Sequence, residues 1–392
     1  MIWTEDRIGI LDRLARSSLT GASYESLFAD FCSSISAAGI AIDRAHFSTA
    51  TLHPLINAVG ITWLPGSGAS RENFAHRGTD KPVWRESPFF FMLEERLSEL
   101  HCPLVGSRSR TDFPVFDAFR AGGLTDWIAF LIDFGWSADH LPTGNLGMIV
   151  SWATAAPDGF SAGDIQRLRS VGPALAAAIK SRVFQDLSRD VIGAYLGADA
   201  AGKVMGGAIT RGSVTDISAA IMMADIRDFT AFSETMSRVD LVALLNQTFD
   251  AAAAPIVEAG GQILKFMGDG FLAIFQAEGD RVAAVRSALA AALAVQVRLP
   301  EGVRMDIALH VGDVHYGNIG AADRLDFTVI GSAVNEAARI EALCSQIGRP
   351  VLVSDEFARL AGLDAFEALG LFSLKGLAAP RTIHAPTVPS PR

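Results

Sequence analysis

Two aspartates lie where apolar segments end, and their placement is the strongest indication of chemistry in this sequence. Residues 219–224 form an apolar run that breaks at Asp225, as expected for a buried strand with a carboxylate at its exit. Residues 262–275 contain two short apolar strands around a Met-Gly-Asp-Gly turn, with Asp269 at its tip. If these strands are neighbours, the two carboxylates converge.

An ionised carboxylate at the end of a buried strand has to be paired, hydrogen-bonded or bound to a metal. The segments around Asp225 and Asp269 contain no His or Cys. Hard oxygen ligands without nitrogen or sulfur favour magnesium over zinc. The two aspartates therefore predict a magnesium site. The alternative is that they are an ordinary turn acid and an ordinary hairpin-tip acid.

The composition describes a globular protein with room for two domains. The chain has 392 residues, of which 50% are hydrophobic and 19% charged. A net charge of -10 argues against a nucleic acid or an anionic membrane as the main partner. The three cysteines are scattered, there is no signal pattern, and no apolar run reaches the roughly 20 residues of a membrane span. We therefore expect a cytoplasmic protein.

The distribution of residue types along the chain predicts two separate cores. All six tryptophans precede residue 153, whereas the second half is rich in alanine and glycine. We expect an α+β domain over 1–160, a signalling helix and linker over 161–212, and a domain of alternating strands and helices over 213–385. The proline-rich residues 386–392 are expected to be a disordered tail. A long apolar stripe in the linker is interpreted as a helix that dimerises, with a simple closing helix as the alternative.

Three segments of the second half together resemble the signature segments of one enzyme family. Residues 224–230 read Ala-Asp-Ile-Arg-Asp-Phe-Thr, residues 265–269 read Lys-Phe-Met-Gly-Asp, and residues 327–339 read Phe-Thr-Val-Ile-Gly-Ser-Ala-Val-Asn-Glu-Ala-Ala-Arg. In order and spacing they are similar to those of class III nucleotidyl cyclases. The resemblance implies a mixed, mainly antiparallel sheet flanked by helices. It also implies conversion of ATP to 3',5'-cyclic AMP and pyrophosphate.

The resemblance assigns roles to the residues of these segments. Asp225, Asp269 and the backbone carbonyl of Ile226 would hold two Mg²⁺ ions per site, with Mn²⁺ possible. Asn335 would orient the ribose, and Arg339 would stabilise charge on the α-phosphate. The two acids would come from one protomer and Asn335 with Arg339 from the other, which implies a homodimer through the catalytic domain and the signalling helix.

Three further positions are assigned to the substrate. Lys265 and Thr328 match the residues that read the purine, and a lysine with a hydroxyl suits adenine. Many relatives carry Asp in place of Thr328, and the threonine is similar to the subclass of bicarbonate-responsive soluble adenylyl cyclases. Lys375 matches a lysine near the triphosphate. The family often has glycine where this sequence has Asp228.

The first domain resembles a GAF-type sensor by the order of its elements. Residues 52–54 and 88–92 are candidates to line a pocket for a small-molecule effector, with a purely structural or dimerising domain as the alternative. For the whole chain the sequence therefore predicts an adenylate cyclase under N-terminal control. The two alternative hypotheses are a guanylate cyclase and a nucleotide-binding regulator without turnover.

Overall fold

The computed structural model describes residues 2–51, 56–75, 82–110, 112–137 and 145–387. The chain divides into two compact units, Met1–Val191 and Ile192–Arg392. Each unit has apolar cores on both faces of one sheet. The predicted α+β class is confirmed. Residues 52–54, which we considered as a pocket wall, lie outside the described residues.

The first unit contains short helices and six strands. The helices are α1 (Ile2–Leu19), α2 (Tyr24–Ala37), α3 (Pro82–Arg85), α4 (Pro88–Glu94) and α5 (Val115–Ala121), followed by the long α6 (Ala162–Leu196), which belongs to this unit as far as Val191. The strands are β1 (Arg44–Ala50), β2 (Ile56–Leu64), β3 (Gly68–Ala75), β4 (Glu99–Pro103), β5 (Asp126–Ser137) and β6 (Asn145–Thr154).

The sheet of the first unit is antiparallel, in the order β3-β2-β1-β6-β5-β4. One face, which includes Phe47 and Trp152, packs against α1, α2 and α6. The other face, which includes Trp127, packs against α4 and α5. Side chains alternate between the faces along each strand, so β1 contributes its odd-numbered residues to the first core.

The apolar stripe of α6 is used within the first unit. Leu168, Val171, Leu175, Ile179 and Val183 are buried in its first core. The division that we expected at residue 160 therefore differs from the observed one, because the first half of the predicted linker closes a sheet face. Helix formation continues to Leu196 without interruption.

The second unit has helices on both sides of an eight-stranded sheet. Its helices are α7 (Ala198–Met205), α8 (Phe229–Thr235), α9 (Arg238–Glu258), α10 (Arg281–Arg298), α11 (Ser332–Ile347) and α12 (Asp355–Ala361). Its strands are β7 (Val214–Ile226), β8 (Gln262–Met267), β9 (Gly270–Gln276), β10 (Met305–Gly320), β11 (Leu325–Ile330), β12 (Val351–Ser354), β13 (Phe366–Phe372) and β14 (Arg381–Pro386).

The sheet of the second unit is mixed and mainly antiparallel. Its order is β13-β14-β12-β10-β7-β9-β8, and β11 pairs with the end of β10. The pair β10–β12 is parallel, and the other paired strands of this unit are antiparallel. Strand β7 lies between β9 and β10, and its middle is buried on both faces. The first predicted aspartate therefore follows the buried stretch of a central strand.

The end of the second unit differs from the prediction. Strand β14 ends at Pro386, and the backbone N–H of Thr387 donates to the Ala365 carbonyl at 2.9 Å. These two residues belong to the fold, so a disordered tail beginning at 386 is wrong for them, and residues 388–392 lie outside the described part. Strand β13 ends at Phe372, before Lys375.

The three cysteines, Cys32, Cys102 and Cys344, are buried and form no disulfide. Within the described ranges, no helix combines the length and the apolar character needed to cross a bilayer.

Candidate active site

Asp225 is the next-to-last residue of β7 and follows six buried residues. In the register of the sheet it lies opposite Gly270 on β9 and opposite Asp306 on β10. The carboxylate therefore stands at the exit of a central buried strand, and the hydrogen-bonded ladders on both sides fix its position.

Asp269 lies in the tight turn between β8 and β9, beside Gly268, whose φ of 69° is a left-handed conformation. Its carbonyl accepts a hydrogen bond from the Ile226 N–H at 3.3 Å. A Cβ on Gly270 would lie 2.7 Å from the Asp225 Oδ1 atom and closer still to the Ala224 carbonyl. The structure thus brings the two predicted aspartates together, and the glycine after Asp269 permits the close approach.

The electrostatics of this pair are those of two like charges held side by side. Burial, followed by the charge of Asp269, raises the pKa of the Asp225 carboxyl to about 6. A divalent cation would relieve both effects, and carboxylate oxygens are the donors that Mg²⁺ prefers. No cluster of three or more His, Cys, Asp or Glu side chains in the described residues is arranged to hold a metal. A cation here would therefore rely on two carboxylates and on backbone or substrate oxygens.

The sequence analysis missed Asp306, which faces Asp225 from β10. Its carboxylate pairs with the Arg227 guanidinium, with the Arg227 Nε atom 3.1 Å from its Oδ2 atom. The side chains are only 5% and 13% exposed, respectively. Burial nevertheless raises the pKa of Asp306 despite this partner. The ion pair anchors the segment after Ile226 to the next strand, which gives Arg227 a structural role.

Glu341 on α11 is a second acid that the sequence analysis missed. Burial raises the pKa of its carboxyl to about 7, with smaller contributions from the charges of Asp225, Asp306 and Asp269. An acid next to Ile340, on the buried face of a helix, was the signal that could have found it. The Glu341 carboxyl on α11 of the same chain therefore faces the acidic end of β7.

Asp228 has a backbone conformation that favours glycine. Its φ is 58°, in the left-handed region where a side chain is strained. Its side chain is 68% exposed, and its nearest basic partner is Arg304 at 3.4 Å. The additional acid thus points to solvent.

Lys265 and Thr328 lie on two strands that contact each other, β8 and β11. Their neighbours Leu264 and Phe327 share one apolar cluster. Thr328 is 5% exposed, and its hydroxyl oxygen forms no hydrogen bond with any described residue. A buried hydroxyl without a partner is costly. This threonine is therefore placed to bond a group that the chain itself does not supply.

Asn335 and Arg339 are exposed and four residues apart on α11, so they share one face of the helix. Glu341 lies about 200° around the helix from Arg339 at about 100° per residue. Because Glu341 faces the acids of its own chain, Asn335 and Arg339 point away from them. Lys375 is exposed in the turn after β13, and no hydrogen bond or ion pair within the described residues links it to the other predicted site residues.

The second unit therefore combines a mixed sheet flanked by helices with two facing carboxylates at the end of its central strand. That combination defines a domain suited to a divalent cation and a phosphate-bearing ligand. Residues 214–382 match the family model described as adenylate and guanylate cyclase catalytic domain.

Named relatives and a solved structure are each similar to part of the chain. An adenylate cyclase from Anabaena cylindrica is 34% identical over 151 residues, which are 36% of this chain and 30% of the relative. Adenylate cyclase 1 from Rhizobium meliloti (strain 1021) is 33% identical over 168 residues, 40% of this chain and 25% of the relative. The crystal structure of the adenylyl cyclase CyaB from P. aeruginosa aligns at 28% identity and a TM-score of 0.39, covering 46% of this chain and 98% of that chain.

The second unit is thus similar, over residues 214–382, to adenylate and guanylate cyclase catalytic domains. This chain aligns with less than a third of the length of either named relative, at 30% and 25%. The comparison identifies the type of domain, and the nucleotide is a separate question.

The carboxylate pair generates a prediction for the metal-free protein. Asp225→Asn removes one of two facing charges, so it should stabilise the second unit by roughly 1 kcal/mol once solvent screening is allowed for. The pH dependence of this effect follows from the raised pKa. The charge of Asp225 does not destabilise the fold at a pH where its carboxyl is protonated in both the folded and the unfolded state. The destabilisation grows as pH rises from 3.8, the ordinary pKa of an aspartate, through about 6.

Denaturant unfolding followed by circular dichroism, without divalent ions and at a pH above the raised pKa, measures this effect. Mg²⁺ should stabilise the wild type and not the variant. Asp250→Asn, at an exposed acid on α9, is the control and should change neither quantity. If Asp225→Asn were less stable than the wild type without metal, the two carboxylates would not be destabilising the unit by repulsion.

Proposed function

We propose that this protein is an adenylate cyclase, which converts ATP to 3',5'-cyclic AMP and pyrophosphate. The observation that carries the proposal is the convergence of Asp225 and Asp269, which bracket Ile226 at the exit of β7. The names of the matching relatives from Anabaena cylindrica and Rhizobium meliloti support adenylate over guanylate.

In the reaction, the ribose 3'-oxygen forms a bond to the α-phosphorus, and the bond to pyrophosphate breaks. Asp225, Asp269 and the Ile226 carbonyl would hold two Mg²⁺ ions, or Mn²⁺ in their place. Such ions, when bound, make the 3'-oxygen a better nucleophile and neutralise charge on the phosphates. Holding both carboxylates in place before substrate arrives is the contribution of the strand and the hairpin.

The remaining proposed site residues position the substrate and neutralise charge. Asn335 would hydrogen-bond the ribose, and Arg339 would bond the α-phosphate oxygens where negative charge develops. Lys375, exposed at its turn, would contact the triphosphate. The reaction needs little covalent chemistry from the protein, so positioning and charge neutralisation provide most of the catalysis.

Adenine is the proposed base because Lys265 can donate to its N1 and Thr328 can accept from its exocyclic amine. The unpaired hydroxyl of Thr328 supports this, since adenine would supply the missing hydrogen bond. A hydroxyl both donates and accepts, so guanine is the second candidate base, and the assay below separates the two.

The proposed site lies between two copies of the chain. The outward direction of Asn335 and Arg339 on α11, opposite to Glu341, supports this arrangement, because they cannot easily serve the acids of their own chain. In a symmetric homodimer each copy would offer its acids to one site and its α11 residues to the other. Because the apolar stripe of α6 up to Val183 is buried in its own unit, the dimer would form through the catalytic domains.

We further propose that the first unit is a GAF-like sensor that regulates the cyclase in intracellular signalling. Its six-stranded antiparallel sheet with helices on both faces supports a sensor module. An effector would act by shifting the population of competent dimers. The proposal includes no nucleic acid or membrane partner. We propose a cytoplasmic location.

The direct test is to incubate the purified chain with ATP or GTP, with Mg²⁺ or Mn²⁺, and to identify the product by mass spectrometry. We expect cyclic AMP, a metal requirement, and a higher kcat/KM for ATP than for GTP. Cyclic GMP as the main product would establish the guanylate alternative. Nucleotide binding without any cyclic product, under every metal condition, would establish the regulator without turnover.

Thr328→Val tests base reading. The substitution removes an unpaired buried hydroxyl, so the free protein should gain roughly 1 kcal/mol of stability. It should lower kcat/KM for ATP about tenfold, because one hydrogen bond to the base is lost. The matched control is Thr248→Val, which removes a buried hydroxyl that donates to the Leu244 carbonyl at 2.8 Å. The control should leave kcat/KM for ATP unchanged; an equal loss in both variants would argue against a role in base reading.

Mixing two inactive variants tests the shared site. Asp225→Asn and Arg339→Ala should each have little activity alone. Co-expressed in equal amounts, they should recover about a quarter of wild-type activity, because half of the dimers then contain one intact site of two. The pair Asp225→Asn with Asp269→Asn is the control and should recover none. Absence of recovery in the first pair, with dimers shown to form, would reject a site between protomers.

A further inference from the structure

Arg44, the first residue of β1, is a half-buried arginine without a counter-charge. No acid, hydroxyl or carbonyl of the described residues bonds its guanidinium, which lies 4.9 Å from the centroid of the Phe119 ring. Arg110 and Arg182 in the same unit each pair with an aspartate, and their pKa is raised. Burial lowers the pKa of Arg44. A desolvated cation of this kind lacks the anion that would compensate it.

The side chains around Arg44 on the same sheet face are polar but uncharged. His46, two residues along β1, bonds the Thr62 hydroxyl through Nδ1 at 2.8 Å. Burial, with the charge of Arg44 as the second cause, lowers the pKa of His46 to about 3, so its ring is neutral. Its Nε2 atom has no hydrogen-bond partner among the described residues. Ser151, opposite His46 on β6, is buried, and its hydroxyl donates to the His46 carbonyl at 3.5 Å.

This face of the sheet is only partly covered. Along β1 the residues of the opposite face are buried, whereas Arg44, His46, Ser48 and Ala50 remain partly exposed. The strand is nevertheless central, with β2 on one side and β6 on the other. A polar strip in the middle of a sheet, half-covered and accessible, has the position and character of a ligand site.

Aromatic rings border the strip. Phe119 on α5 lies over the Arg44 guanidinium, and Phe89 on α4 lies 5.6 Å from the His46 ring. Phe89 is also 6.1 Å from Trp127, which joins the strip to the buried core of that face. The rings offer apolar surface beside a cation and the Nε2 atom of His46.

We propose that the first unit binds a small organic oxyanion, a carboxylate or phosphate ester with an apolar or aromatic body, on this sheet face. The Arg44 guanidinium bonds the oxyanion, bidentately where the geometry of the anion permits. The His46 Nε2 atom provides a further hydrogen bond, and Phe89 and Phe119 contact the apolar body. The site is separate from the carboxylate pair of the second unit, so it stands whether or not the chain is a cyclase.

Indole fluorescence of the full chain tests the site, because all six tryptophans precede residue 153 and report the first unit alone. The probes are benzoate and phenyl phosphate, with neutral benzamide as the control ligand. Either oxyanion should give a saturable fluorescence change and raise the midpoint of fluorescence-detected unfolding; benzamide should do neither. The tighter of the two probes identifies the preferred oxyanion.

Arg44→Gln should weaken binding of that probe at least about tenfold. It should not lower the unfolding midpoint without probe, since no ion pair is lost. Arg71→Gln is the matched control: Arg71 also lies over a ring, 5.7 Å from that of Tyr24, but pairs in register with Ile61 of the opposite face. The control should bind as the wild type does. Equal responses in wild type and Arg44→Gln, or no response to either oxyanion, would overturn the proposal.

Discussion

The repulsion between two carboxylates at the exit of β7 is the constraint on which the second unit depends. Two features of the backbone hold Asp225 and Asp269 together against it: the hydrogen bond from Ile226 to the Asp269 carbonyl and the absence of a side chain at Gly270. Neither is a side-chain interaction, so the pair stays close before any cation arrives. The close-packed sheet around the pair cannot relax to separate the carboxylates, so the repulsion lowers the stability of the folded unit.

The elements that carry their own local pattern were predictable from the sequence. Helix α9 begins after a Ser237 cap and ends before glycines, and both signals are visible in the sequence. The hairpin of β8 and β9 was predicted because its turn needs glycine and its strands are apolar. Strand β3 has no buried side chain, so its sequence lacks the alternation that predicts a strand. Strand β14 is fixed by its pairing with β12 and β13, which its own sequence does not show.

The same distinction applies to the site. Asp225 and Asp269 interrupt apolar segments, and such an interruption can be recognised from the sequence alone. Asp306 begins a strand and Glu341 sits within a helix, where acids are ordinary. Their importance arises from register and helix phase, which bring them to the end of β7. Likewise, the sequence cannot show that the Thr328 hydroxyl lacks a partner, because that depends on every neighbour in three dimensions.

One physical criterion connects the candidate sites of the two units. A folded chain satisfies nearly all of its buried polar groups, so a group left without its complement marks a place where an external group is expected. In the second unit these are two like charges held side by side and a hydroxyl that forms no hydrogen bond with any described residue. In the first unit the Arg44 guanidinium has no acidic partner among the described residues, and the buried Ser36 Oγ and Trp152 Nε1 atoms form no hydrogen bond there either. The charge of each incomplete group specifies its missing partner: cations for paired acids, an oxyanion for the arginine.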